Sequence, residues 1–345
     1  MRLSEVSTPA LCVDLDVFER NIDRMHSFFA SVPCNLRPHF KANKTPAIAH
    51  RQARAGCAGF TTATLGEAEL LADEGFDDIL IANEICDTTK MKRLAALAAR
   101  IPLIVAVDSA ESVELIRGTG VRVVVDVNVG MPRCGVSPEE AGPLADLARG
   151  RGLAVRGVMG YEGHAVLVPD RAERTKLTAD AMASLVRAHD AVGGDVVSSG
   201  GTGTYDINDA ATEIQAGSYA LMDTAYAELD LPFEYALAVV ATVIHANAKW
   251  TVADCGLKAL GMDHGNPAIA GARVLFCSDE HVTFTPGTPL AVGERVLVRP
   301  AHVDPTIAYH DAMHLADGPH LDADVVDRWA VDLRGWNDPG IASRP

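Results

Sequence analysis

The stretch PLIVAVDSAESVELIRGTGVRVVVDVN, residues 102–128, decides how this chain is read. Two runs dense in β-branched residues, PLIVAVD (102–108) and VRVVVDVN (121–128), enclose a segment of helix-forming Ala, Glu and Leu. That is the pattern of parallel strands joined by a crossover helix. Outward from it the alternation continues in both directions. ALCVDL (10–15), LRPHFK (36–41), GFTTAT (59–64) and DILIAN (78–83) come before it, and VRGVMGY (155–161), DVVSSGG (195–201) and IQAGSYAL (214–221) after it. Segments such as LGEAELLADEG (65–75) and TKLTADAMASLVRAHDAV (175–192) carry apolar residues at helical spacing. With ALCVDL leading in from outside, the other eight runs make a (β/α)8 barrel of the TIM type over residues 10–235. After about residue 235 the texture changes to strand-like runs without long helices: ALAVVATVIHA, WTVADCG, VLFCSDEHVTFTP, ERVLVRPAHVD and RWAVDLRGW. These predict an antiparallel β domain over 236–345, joined by residues 1–9, with a disordered tail after Trp336.

With 345 residues the chain can bury a large core. Its 46 acidic against 30 basic side chains give a net charge of -16, which repels phosphate backbones and anionic lipid, so neither nucleic acid nor a membrane is expected as partner. Seven scattered cysteines, never in a C-x-x-C pair, suggest neither a disulfide framework nor a zinc ribbon and fit a reducing cytoplasm. Glu5, Pro9 and Asp14 interrupt the N-terminus where a secretory signal needs an apolar run. The expected location is cytoplasmic.

In a barrel of parallel strands, reactive groups collect where strands end and loops begin. RPHFKANK (37–44) sets Lys41 at such an end, beside Arg37 and His39. Neighbouring positive charge and burial favour a neutral amine, the species that attacks an aldehyde, although a lysine at a strand end is also ordinary solvated surface. Lys44 is the rival, past the strand. SSGGTGT (198–204) offers Gly201, Thr202 and Gly203, whose backbone and hydroxyl donors suit a phosphate group, and its place after a late strand strengthens a motif that alone is a common turn. VGMPRCGV (129–136) puts Arg133, either a cofactor ligand or a rim residue, just past a strand. GYEGH (160–164) puts Tyr161, Glu162 and His164 at another end. In RPAHVDPT (299–306) an extended chain would place His302 and Asp304 on one face, the spacing of a borderline-to-hard divalent site, or simply two exposed polar residues.

Together these segments resemble the D-threonine aldolase and D-serine dehydratase family of pyridoxal 5'-phosphate (PLP) enzymes, of the alanine-racemase-like fold. The likeness extends from TPALCVDLD at residue 8 to HVD at 302 and takes in LGEAE at 65–69, GGTGTYD at 200–206 and EIQAGSY at 213–219. RPHFKANK keeps the family's R-P-H-x-K…K pattern with Ala42 and Asn43 in place of Thr and His. The resemblance implies that Lys41 holds the cofactor as a Schiff base, with His39, Tyr219 and the Gly201–Gly203 loop around it. Arg133 would meet the phenolic oxygen and Tyr161 the pyridine nitrogen. It also implies a homodimer.

The same resemblance separates two activities. Dehydratases of the family carry His-x-Cys and zinc, whereas aldolases carry His-x-Asp and manganese or a similar ion. HVD at 302–304 therefore implies an aldolase that cleaves D-3-hydroxy amino acids to glycine and an aldehyde. Manganese is the first choice of metal, magnesium or zinc the alternatives. A dehydratase acting on D-serine or D-3-hydroxyaspartate is the chemical alternative. A non-catalytic PLP carrier is a rival of another class, but such carriers lack the C-terminal β domain. A racemase would need a second acid/base that the sequence does not offer. The chain has Tyr161-Glu162-Gly163 where family aldolases have Tyr-His-Gly, which leaves proton handling open between His164 and Glu162.

Overall fold

The computed structural model describes residues 1–334, so the tail expected after Trp336 lies outside the described residues. Two compact units are present. One comprises His26–Lys41 and Ala49–Gly217; the other comprises Met1–Met25, Ala42–Ile48 and the chain from Ser218 onward.

The first unit is the barrel. Its strands are β2 (Asn35–Leu36), β3 (Phe60–Thr62), β4 (Ile79–Glu84), β5 (Ile104–Val107), β6 (Arg122–Asp126), β7 (Ala154–Met159), β8 (Val196–Ser199) and β9 (Glu213–Ile214), numbered after the N-terminal strand β1 (Ala10–Asp14) of the other unit. All pair in parallel, in the order β2-β9-β8-β7-β6-β5-β4-β3, and a parallel bridge between His39 and Thr61 brings the two ends of the sheet together. All four residues of β5 are buried, as are four of five in β6, because crossover helices cover the outer face while the inner face packs on itself. Leu80, Ile104, Ala106, Val124, Met159 and Val196 fill the interior. Each of the larger of these side chains, fully withdrawn from water, contributes roughly 1.5–3 kcal/mol.

The crossovers are α3 (Leu65–Asp73), α4 (Met91–Ala98), α5 (Ala110–Ile116), α6 (Pro138–Gly150) and α7 (Arg171–Val192), preceded by α1 (Leu15–Phe29) and α2 (Pro46–Ala55). Side chains cap several of them: Thr64, Ser109 and Asp170 accept the backbone N–H of Glu67, Ser112 and Glu173.

The strand foreseen at 36–41 is shorter than the sequence suggests, for Pro38 has no N–H to donate and the ladder ends at Leu36. Beyond it Lys41 lies in a single 3-10 turn, Phe40–Ala42, anchored by the fully buried Phe40. Arg37, only 5% exposed, pins this weak strand: its Nε donates to Glu213 Oε2 at 2.8 Å and its Nη1 to Asp78 Oδ1 at 2.9 Å. Burial works against the guanidinium charge, but the two carboxylates outweigh it. The guanidinium that the sequence places near Lys41 is engaged by Glu213 and Asp78.

The second unit holds the mixed sheet. Its further strands are β10 (Leu237–Ala246), β11 (Thr251–Ala253), β12 (Ala268–Ile269), β13 (Ala272–Cys277), β14 (Val282–Pro286), β15 (Arg295–Arg299), β16 (Ala312–Ala316) and β17 (Val325–Ala330), with the short helix α8 (Val303–Ala308). The order β13-β14-β11-β10-β1-β16-β17 is antiparallel except that β1 and β16 run parallel. Residues 10–25, 42–48 and 218–235, assigned from sequence to the barrel, pack with this sheet because β1 is hydrogen-bonded inside it. Phe18 of α1 then packs edge-on to Trp329, ring centroids 5.7 Å apart.

Arg37→Met leaves Glu213 buried without its partner, and we expect a loss of about 3–5 kcal/mol in urea unfolding followed by circular dichroism. The double variant R37M/E213Q should recover much of that loss.

Candidate functional site

Each unit assembles one group of candidate residues. In the barrel unit they stand at the C-terminal ends of the parallel strands. Lys41, partly exposed, follows the His39–Thr61 bridge. At the end of β8 the chain turns through Gly200 at φ +83°, a conformation open to glycine at little cost. At Gly203 a Cβ would stand 1.9 Å from the carbonyl oxygen of Val166, so no other residue fits there. Gly201 N donates to Thr204 Oγ1 at 3.2 Å, and Thr202 and Thr204 are buried. Glycine at 203 is thus forced by contact with Val166 rather than chosen for flexibility, and the loop's backbone and hydroxyl donors are of the kind that fits the phosphate of PLP.

Arg133 stands on the loop after β6 with its guanidinium 5.5 Å from the centre of the Tyr161 ring. The two residues expected to flank the cofactor ring are therefore brought together. His164 is exposed and lies against Gly130, where a Cβ would come within 2.9 Å of its Cε1. Glu162 is fully buried. Ser199 Oγ and Gly200 N donate to its Oε2 at 2.8 and 3.1 Å, and Thr204 Oγ1 and Asn208 Nδ2 to its Oε1 at 2.8 and 3.3 Å. With both oxygens engaged and no exposed surface, Glu162 has no face to offer a substrate proton.

Sequence reasoning missed an acidic group at the ends of β4, β5 and β6. Ligand-type atoms of Glu84, Asp108 and Cys134 lie within 4.8 Å of one another. Asp126 is pushed up to about 8, by burial first and then by the charge of Glu84 and a bond to it. Its signal was the run of acids at strand ends, which carries no spacing that sets it apart from any barrel.

The second unit holds His302 and Asp304, and here the extended segment foreseen at 299–306 is corrected. Of the pair only His302 is extended, at φ -145° and ψ 121°; it stands at the N-cap of α8, and Asp304 already lies in the helix's first turn. The turn is fixed by Val303 N donating to Asp223 Oδ2 at 2.7 Å, and burial pushes the Asp223 carboxyl up to about 7. His302 Nε2 stands 3.9 Å from Asp304 Oδ1, so the pair meets through the helix start rather than along a strand face.

Two neighbours come from a distant segment. His302 Nδ1 and Asp263 Oδ2 are hydrogen-bonded at 2.7 Å, and the His264 ring stacks on His302 at 4.0 Å and 13°. Burial works to raise the Asp263 carboxyl, but the bond and charge of His302 prevail and hold it below its ordinary value. With Nδ1–H given to Asp263, the Nε2 lone pair is left for an ion shared with Asp304. Imidazole plus carboxylate suits manganese or another borderline-to-hard divalent ion. Asp263 could be linked to His302 only through the Gly261–His302 bridge, a feature of topology with no trace in local sequence. Tyr219 also belongs to this unit, buried against Phe233 with ring centroids 5.7 Å apart. Among the described residues no helix is long and apolar enough to cross a membrane.

Residues 13–225 match the family of the alanine racemase N-terminal domain, and residues 236–316 match the putative serine dehydratase domain. The D-threonine aldolase of Arthrobacter sp. is 35% identical, over 97% of this chain and 94% of that protein. The 3-hydroxy-D-aspartate aldolase of Paracoccus denitrificans is 32% identical, over 89% of this chain and 88% of its own. Among solved structures, a D-threonine aldolase from Filomicrobium marinum superposes with a TM-score of 0.91 at 34% identity, covering 97% of both chains. A variant D-threo-3-hydroxyaspartate dehydratase in its metal-free form gives 0.87 at 26% identity, covering 97% of this chain and all of that one.

Two outcomes are expected from this geometry. Asp263→Ala frees the His302 ring, so manganese affinity measured by electron paramagnetic resonance should fall roughly tenfold to a hundredfold. Asp126 holds a proton in the folded state that the unfolded chain releases, so its contribution is complete below about pH 4 and is lost as pH rises towards 8. Asp126→Asn should therefore raise the melting temperature at pH 9 and do so much less at pH 5.

Proposed function

The chain belongs to the alanine-racemase-like family that includes the D-threonine aldolases, and from that membership we propose that it is a PLP- and divalent-metal-dependent aldehyde-lyase. Its substrates are D-3-hydroxy amino acids of the D-threonine type, split into glycine and an aldehyde. The observation that carries this reading is the donor pair at 302 and 304: an imidazole whose other nitrogen is tied to Asp263, beside a carboxylate rather than a thiolate.

Within the barrel unit, Lys41 is the residue that would hold the cofactor through its aldehyde carbon. The glycine loop at 200–203 would receive the phosphate, and Arg133 and Tyr161, which stand together, would hold the ring. Within the second unit, His302 and Asp304 hold the metal, with manganese favoured over magnesium or zinc. When bound, the metal makes the substrate's β-hydroxyl a stronger acid and the cofactor accepts the electron pair released as Cα–Cβ breaks. His164, exposed beside the Arg133 loop, is the side chain left to handle protons on that strand end once Glu162 is engaged.

Dehydration to a 2-oxo acid and ammonia is the second reading, supported by the likeness to the hydroxyaspartate dehydratase. A homodimer and a cytoplasmic location complete the proposal, and the seven free cysteines are compatible with the latter.

The test is direct. Purified protein incubated with D-threonine should release acetaldehyde and glycine in equal amounts, faster with manganese than after chelation. Pyruvate from D-serine without glycine from D-threonine would favour the dehydratase. Asp304→Ala should lower manganese-dependent glycine formation by about a hundredfold or more. Borohydride reduction followed by peptide mass mapping should place the cofactor on Lys41; a label on Lys44 or on no lysine would sink the reading.

A further inference from the structure

We infer that Glu162 is the positioning residue that gives this chain its selectivity for a phosphorylated cofactor, acting from beneath the glycine loop without touching the ligand. The inference rests on the PLP reading above and extends it to a residue whose identity departs from the family pattern. Glu162 sits just past β7, fully buried, and gathers four donors from both ends of one loop. Ser199 and Gly200 belong to the end of β8 where the loop starts; Thr204 and Asn208 lie where it finishes. One carboxylate therefore closes residues 199–208 into a ring.

Two of these donors, Gly200 N and Asn208 Nδ2, can only donate, and they reach different oxygens, so each oxygen must act as an acceptor. A glutamine would present an NH2 to one of the two sides and break that half. The Thr204 hydroxyl is shared: it donates to Glu162 and accepts from Gly201 N, which transmits the carboxylate's hold to the middle of the loop.

The opposite face of the loop is fixed independently. Val166 O abuts the α-carbon of Gly203, and the fully buried Arg174 braces the segment behind it by donating Nη1 to Val168 O at 2.5 Å and Pro169 O at 3.2 Å. Removing the carboxylate thus loosens the loop on one side only. It also strands the main-chain donor of Gly200 and the amide donor of Asn208 in a buried site, an energetically costly state that the loop relieves by opening. An opened loop loses its fit to phosphate, whereas Lys41 and its turn are anchored elsewhere, on Phe40 and the His39–Thr61 bridge. Glu162 should therefore govern affinity for the phosphate and leave the aldehyde chemistry intact.

The experiment compares PLP with pyridoxal, the same aldehyde without phosphate, titrated against cofactor-stripped wild type, E162A, E162Q and T204V and followed by absorbance. Wild type should bind PLP more tightly than pyridoxal. In E162A the ratio of the two affinities should shrink by about tenfold or more, with pyridoxal affinity changed less than about twofold. E162Q should fall between E162A and wild type, and T204V should move the ratio the same way by less. A ratio unchanged in E162A, or both ligands weakened equally, overturns the inference. Wild type that takes up neither aldehyde overturns the cofactor reading itself, and this inference with it.

Discussion

Eight parallel strands satisfy their backbones only if the first finds the last, and here the two strands that meet, β2 and β9, are the shortest of the set. β2 has two residues, and Pro38 cannot extend it. What holds the seam is the Arg37 guanidinium, which grips Glu213 on β9 and Asp78 just before β4 and so spans it from both sides. Removal of one partner from such a buried pair leaves an uncompensated charge, which makes the arrangement costly to break even where its net contribution to stability is small. The turn that bears Lys41 follows four residues later. The salt bridge thus lies at the same C-terminal end of β2 as the turn that carries the amine.

Much of this was legible in the sequence, for a physical reason. Strands covered on both faces need β-branched residues almost throughout, so runs such as VVVDV in β6 announce themselves. The glycine loop was legible because contact with Val166 leaves glycine as the only residue that fits. Where the reading failed, the deciding contacts lie far apart in the chain. Arg37 is read as a neighbour of Lys41 until Glu213 and Asp78 are seen to hold it. His302 and Asp304 meet through a helix start that depends on Asp223, eighty residues back by the hydrogen bond that joins them. Asp263 and Glu162 show the same limit: a carboxylate's role depends on which donors surround it, and those donors come from other loops.

The two groups of residues use one tactic. In each, the residue that would meet the ligand is held by a carboxylate that does not: Asp263 on the Nδ1 side of His302, and Glu162 beneath residues 199–208. Such supports convert flexible side chains and glycine-rich backbone into fixed geometry, which catalysis requires before binding energy can be directed at the reacting bond. Here the supports are anions placed behind the proposed cation site and behind the proposed phosphate site alike. In the second case the negative charge is tolerable only because four donors surround it.

The place of β1 bears on how the polypeptide comes into being. Its strand partners are β10 and β16, so Ala10–Asp14 leave the ribosome long before Leu237–Ala246 and Ala312–Ala316 exist to receive them. The earliest strand made must wait, unpaired, through synthesis of the entire barrel. Nascent chains of this design therefore carry an open sheet-forming segment for most of their time in translation, a window in which holdase chaperones have something to guard.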